Sequence, residues 1–247
     1  MSKRNNRLGT EKLNCQGSTM RIIEYIDAMN IVVEFQDEHK AKVKTEYKHY
    51  KSGKVKNPYL PSVFGVGMIG SKYPSNTKEY VAWKSMLNRC YYHKIIGKNP
   101  TYKDVICCNE WLLFENFYEW LCSQDNFNKW LNGEKWCLDK DILIKGSKIY
   151  SPKTCCLVPQ NINNIFVKNK SRRDCLPIGV IKSNEKFGTI FNQEYLGTFD
   201  TPEQAFLAYK KAKEDYVKQV AQEEYSKDNI TKQCYEAMMN YEVEIDD

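Results

Sequence analysis

The apolar positions of this chain change their period twice. Residues 20–25 (Met-Arg-Ile-Ile-Glu-Tyr) and Ile31–Phe35 (Ile-Val-Val-Glu-Phe) are β-branched runs of strand length, with turn chemistry at Asp27-Ala28-Met29-Asn30 between them. Residues 41–47 alternate apolar with charged side chains and read as a third strand. Lys51-Ser52-Gly53-Lys54 reads as a turn, 57–61 as extended chain, and 65–70 (Gly-Val-Gly-Met-Ile-Gly) as a strand end and linker. The glycines there do not make a phosphate loop, because no Lys-Ser/Thr pair follows them. So many short strands in so few residues predict a small β-barrel-like module or curled sheet over residues 1–70.

From Asn76 the period becomes helical. Asn76 or Thr77 is placed to cap a helix in which Tyr80, Trp83, Met86 and Leu87 recur on one side. Residues 110–121 repeat the pattern with Trp111, Phe114, Phe117 and Leu121. Both stripes read as the core of a middle segment, 71–170. Within it, 138–143 and 148–158 read as the strands of a hairpin and 160–166 as a short helix. Asp139 and Asp141, at i and i+2 of the first strand, are predicted to share a face.

In the last segment, 176–247, the period returns to two. Residues 178–181, 187–191 and 195–199 predict three strands, with turns at 183–185 and 192–194. Thr201-Pro202-Glu203 opens a helix, with proline early and an acid in the first turn. Ala205, Phe206, Ala208, Tyr209 and Ala212 give that helix one apolar face. One more helix is expected beyond Ser226, before a frayed acidic end at 241–247. The predicted fold class is α+β: a β module, a hairpin-and-helix core with two flanking helices, and a three-stranded sheet plus helix.

Composition narrows the function classes. At 42% hydrophobic and 28% charged, the chain is globular and not disordered. Its 37 Lys+Arg against 31 Asp+Glu give +6, which permits a polyanionic partner without requiring one and excludes a strongly acidic DNA mimic. Lys40, Lys42, Lys44, Lys48, Lys51, Lys54 and Lys56 make the first segment locally basic, either as a solvated strand face or as a patch that tracks phosphates. No apolar run of about 18 residues exists, so no membrane span is expected. The basic start has no apolar segment behind it, so the chain is expected in the cytosol. The ten cysteines include no C-x-x-C pair and are expected to be reduced. One member each of Cys107-Cys108 and Cys155-Cys156 is expected to be buried. A zinc ion shared by Cys107 and Cys155 is the alternative.

The middle segment carries a series of landmarks. Tyr80, Trp83, Met86, Arg89, Cys90 and Tyr91 are followed by Tyr102, Val105, Cys107, Trp111, Phe114, Phe117 and Trp120. Then come Leu138-Asp139-Lys140-Asp141, Gly146, Tyr150-Ser151-Pro152-Lys153-Thr154-Cys155, and Asn161, Asn163 and Asn164. This series resembles the core of phage HNH nucleases, with a ββα-metal hairpin and helix. Asn-Pro-Tyr and Gly-Val-Gly modules like those at 57–59 and 65–67 accompany such cores. Where the family has its general-base His, this chain has Asp139; where it has the middle Asn, this chain has Thr154. The resemblance implies catalytic positions at Asp139, Thr154 and Asn164. It implies a divalent ion, magnesium or manganese, held by Asp139, Asp141 and Asn163 if the centre is active. A carboxylate, with an unperturbed pKa of about 4, is a weaker base than His unless burial raises it. None of His39, His49 and His93 stands at the motif position, and His93 is the candidate to enter from outside. The bland alternative is a hairpin stabilised by Lys140, Lys145 and Lys148.

The last segment, with Gly179-Val180, Tyr195-Leu196-Gly197-Thr198-Phe199 and the Thr201–Ala205 helix start, resembles the APETALA2-type DNA-binding domain. That resemblance implies DNA contacts from the sheet at Lys182 and Lys186, and from the linker at Lys170, Arg172 and Arg173. No arginine follows Asp174, which implies weak base specificity. Together the two resemblances imply a phage-type protein that binds double-stranded DNA and is related to HNH homing endonucleases. If the centre is active, it nicks or cleaves DNA with a metal ion. The alternative is a catalytically inactive HNH-derived binder, acting as a phage regulator or anti-defence factor through DNA or a host protein.

Overall fold

The computed structural model describes residues 7–92, 102–133, 135–167 and 176–245. The chain is α+β and divides into two compact units, Met1–Cys122 and Ser123–Asp247. No helix among the described residues is long and apolar enough to cross a membrane.

The first unit opens with an antiparallel meander: β1 (Glu11–Leu13), β2 (Thr19–Tyr25), β3 (Ile31–Phe35) and β4 (Lys42–Thr45), in that order across the sheet. Alternation decides its faces. Met20, Ile22, Ile31, Val33 and Phe35 turn to the core, where Tyr50 and Val55 join them. Of the barrel-like module or curled sheet expected, the structure gives an open four-stranded sheet with no closure: β1 and β4 are its edge strands, each paired on one side, and β1 is three exposed residues long. Instead a short helix, α1 (Tyr47–Lys51), and the chain behind it cover the apolar face. Tyr47, expected to end the third strand, starts that helix.

The same unit contains α2 (Lys78–Tyr91), β5 (Ile106–Cys107), a 3-10 turn (Asn109–Leu112) and α3 (Phe114–Cys122). Thr77 caps α2 by accepting from Tyr80 N at 3.3 Å. The two aromatic stripes meet as predicted: Trp83, Trp111, Phe114 and Phe117 are buried, and Trp83 Nε1 donates to Trp111 O at 2.7 Å. The expected single helix over 110–121 is broken, because Leu113 leaves the 3-10 turn with extended backbone.

The second unit begins with α4 (Phe127–Asn132) and continues through β6 (Trp136–Asp139), β7 (Ile149–Tyr150), β8 (Cys156–Pro159) and α5 (Gln160–Ile165). Then come β9 (Val180–Ser183), β10 (Lys186–Phe191), β11 (Glu194–Phe199), α6 (Pro202–Ser226) and α7 (Lys232–Met239). β6 and β8 pair antiparallel, with Asp139 opposite Cys156. β9, β10 and β11 form the predicted sheet, with β10 central. Its turns take Asn184, Asn192 and Gln193 into positive φ. Thr201 caps α6 by accepting from Gln204 N. Ala205, Phe206 and Tyr209 of α6 pack on Val180, Phe187, Phe191 and Phe199. Gly179 has φ +77°, and a Cβ there would stand 2.0 Å from the Tyr209 ring, so the close approach of sheet and helix needs glycine. The acidic end is tied down as far as Val243, whose N–H donates to Glu214 Oε1 at 2.8 Å.

Candidate functional site

The hairpin and helix expected over 138–166 are present, but the strands are shorter. β6 stops at Asp139 because that side chain closes a turn: Oδ1 accepts from the backbone N–H groups of Asp141 at 2.7 Å and Ile142 at 2.8 Å. Asp141 therefore lies beyond the strand and does not share a strand face with Asp139. Its two oxygens each accept from Lys140 Nζ at 2.8 Å. The Lys140 ammonium also donates to Ser147 O at 2.6 Å and lies 5.9 Å from the centre of the Tyr150 ring. Lys140 is buried. The cation beside this carboxylate is the chain's own.

Thr154 is buried and likewise spends its side chain locally. Its Oγ1 donates to Ile149 O at 2.6 Å and accepts from Ser151 N at 3.0 Å. Burial raises the Asp139 carboxyl above its ordinary value, and the two amide hydrogen bonds oppose that rise. Burial also pushes the Cys155 thiol up to about 12. Both Cys155 and Cys156 are buried, against the expectation of one, because Cys155 precedes the strand and the pair does not alternate as strand residues.

On α5, Asn164 is exposed and accepts from Gln160 Nε2 at 2.8 Å; Gln160 Oε1 in turn accepts from the Cys137 thiol at 2.8 Å. Asn163 is half-buried. No hydrogen bond among the described residues joins either asparagine to Asp139 or Asp141. Asn164 instead lines a cleft of about 560 Å³ with Asn161, Ile181, Ile190, Lys213 and Tyr216, and Asp139 is not part of its wall. Among the described residues no three His, Cys, Asp or Glu side chains come together to hold a metal ion. The donor set suits a divalent cation poorly: one oxygen of Asp139 is taken by two amides, and both oxygens of Asp141 face an ammonium. His93, Lys170, Arg172 and Arg173 lie outside the described residues.

The sheet sorts its residues by register. Opposed residues of an antiparallel pair share a face. Lys182 stands opposite Phe187, on the side that packs against α6, although it is itself exposed at the edge. Lys186 stands opposite Ser183, on the other side, and pairs with Asp200 at 3.0 Å. The two lysines thus do not form one surface. The open face holds Ile181 (45% exposed), Ile190 (44%) and Tyr195 (56%), with the Tyr195 ring beside Gly188. Sequence reasoning assigned Lys140 to stabilising the hairpin, where it bonds Asp141 and Ser147, and did not single out Ile181, Ile190 and Tyr195 as a surface. The signals were the two-residue alternation in 187–191, which turns Ile190 outward, and the Asp-Lys-Asp order, which puts a cation between two acids.

The chain matches no protein-family model, no curated protein and no solved structure.

Proposed function

We propose that the chain is a DNA-binding protein in which the sheet β9–β11, backed by α6, presents its open face to duplex DNA. The hairpin–helix holds that unit together without performing hydrolysis. The observation that carries the reading is the asymmetry of the sheet. One face is sealed by Phe206 and Tyr209, while the other, which also holds Lys186, leaves Tyr195 and, in the cleft wall, Ile181 and Ile190 partly exposed. Strands of a sheet can enter a groove of the duplex, and apolar side chains in the major groove can meet thymine methyl groups. The HNH-like spacing is read as ancestry. Asp139 and Thr154, which the resemblance would make base and orienting residue, use their polar atoms to close turns. The test has two parts. The purified chain should shift duplex DNA, and Tyr195→Ala with Ile190→Ser should weaken the shift without loss of fold. Supercoiled plasmid with magnesium or manganese should stay intact. Absence of any DNA shift would remove the reading, and metal-dependent nicking lost in Asp139→Ala would restore the nuclease.

A second reading follows from the same face. Three large exposed apolar residues on one open sheet also suit a protein partner, of the host or of a defence system. Pull-down of one partner that Tyr195→Ala releases, with no DNA shift, would favour it.

A further inference from the structure

Cations gather at one corner of the first unit. In α1, Tyr50 turns to the core and Tyr47 packs against it, so Lys48 and Lys51, at i and i+3, stand on the outer side. Behind the helix, Gly53 (φ +70°) reverses the chain, and Lys54 N donates to His49 O at 2.9 Å. From β1, the Lys12 ammonium reaches Lys51 O. Lys12, Lys48, Lys51 and Lys54 are all exposed. Among the described residues the one carboxylate ion-paired to this group is Glu46, at 2.6 Å from Lys48. The corner is rigid: Cys15 N donates to Gly53 O at 2.8 Å, and Asn14 Nδ2 to Val55 O at 2.9 Å.

The charge of the whole chain sits on the same side of the domain division. Residues 1–122 hold 19 Lys and Arg against 12 Asp and Glu, a net +7; residues 123–247 hold 18 against 19, a net −1. The unit with the open sheet face therefore carries no net positive charge. Lys42 and Lys44 do not belong to the corner. Val43 between them packs on the core, so they project from the other face of the sheet, where Lys42 stands opposite Glu34.

We infer that the α1 corner, with Lys12, Lys48, Lys51 and Lys54, docks on the phosphate backbone of duplex DNA. The inference rests on the proposal that DNA is the partner, and assigns the sequence-independent part of the affinity to the first unit. Lysines are compact point charges on flexible stems, suited to closely spaced phosphates that need no forked geometry. Each phosphate they neutralise releases counterions, so the corner should set the salt dependence of binding.

The experiment uses the full chain and a fluorescent duplex, titrated between about 50 and 200 mM salt. Circular dichroism checks that each variant folds. Lys48→Gln, Lys51→Gln and Lys54→Gln together should raise Kd on the order of tenfold or more and make the log–log salt slope shallower by about 2–3. The pair Lys42→Gln and Lys44→Gln should leave both nearly unchanged. An unchanged slope in the triple variant would overturn the inference, as would an equal loss in the control pair, which would assign the effect to net charge alone. Triple-variant loss of binding to phosphatidylserine vesicles but not to DNA would assign the corner to lipid and also overturn it. DNA binding that depends on Tyr195 and Ile190 but not on these lysines would sink this inference and leave the proposed function standing. No DNA binding by the unaltered chain would remove both.

Discussion

The hydroxyl of Thr154 donates to the carbonyl oxygen of Ile149 at 2.6 Å, closing the loop between β7 and β8 from inside. The same oxygen accepts from Ser151 N at 3.0 Å. One small side chain thus satisfies a donor and an acceptor of a part-buried turn. That leaves little of it to face a substrate.

Thr154→Val, which keeps the shape and removes both hydrogen bonds, should cost about 1–3 kcal/mol of stability, because two hydrogen bonds of a part-buried turn, each contributing about 0.5–1.5 kcal/mol, are lost. Thr154→Ser should cost less. Denaturant unfolding followed by tryptophan fluorescence measures both. Equal stability of the valine variant and the parent would show that the turn does not need the hydroxyl.

A second carboxylate organises the first unit. Glu115 of α3 is buried, and its Oε1 accepts from the N–H groups of Ser71 and Lys72, each at 2.7 Å, and from the Tyr59 hydroxyl at 3.1 Å. Gly70, with φ +77°, brings the chain so close that a Cβ would stand 2.3 Å from Glu115 Oε1. Gly70→Ala combines a disfavoured backbone with a clash and should cost about 1–3 kcal/mol or more. Glu115→Gln keeps one acceptor oxygen and should cost less than Glu115→Ala. A thermal melt that ranks the alanine at 115 as no worse than the glutamine would refute the assignment.

Much of this fold was legible because the local rules agree. Thr77 and Thr201 cap their helices as the sequence implies, and the Asn-rich turns of 183–185 and 192–194 take the positive φ that asparagine tolerates. The aromatic stripes became core because four large rings at helical spacing have few other places to go. The candidate site was less legible. Period-two alternation predicted that Asp139 and Asp141 share a face, but an aspartate that hydrogen-bonds its own downstream amides ends the strand it belongs to. The first module was legible as strands but not in how they end: β1, three exposed residues, was not read as a strand, and β1 and β4 stay the edges of an open sheet.

The cysteines give a prediction about reactivity. Cys15 and Cys122 are exposed, whereas Cys90, Cys107, Cys155, Cys156 and Cys234 are buried. Burial holds the Cys122 thiol above its ordinary value, so among the cysteines of the described residues the exposed Cys15 should be alkylated first in the folded chain. Cys155, pushed up to about 12, should react only on unfolding. Mass spectrometry after timed iodoacetamide treatment reads the order, and denatured protein should give ten free thiols. Early labelling of Cys155 in folded protein would contradict its burial.

Asp139 separates a structural turn from a catalytic base. Burial raises its carboxyl in the folded chain from an ordinary value of 3.8, so the folded state holds this proton more tightly than the unfolded state. Between 3.8 and the raised folded value the native chain carries more protons, and this group's contribution to stability falls as pH rises. Above both values the penalty for the buried charge is complete. Asp139→Asn removes the penalty and keeps an oxygen for the two amides. Its stability relative to the parent should therefore improve as pH rises from below 3.8 to neutrality. Asp139→Ala loses both hydrogen bonds and should be less stable by about 1–3 kcal/mol at neutral pH. Unfolding curves across this range give all three lines. A pH-independent difference between parent and asparagine variant would place the carboxyl at its ordinary value. Plasmid nicking by the parent that disappears in the asparagine variant, with stability unchanged, would assign the carboxylate to catalysis.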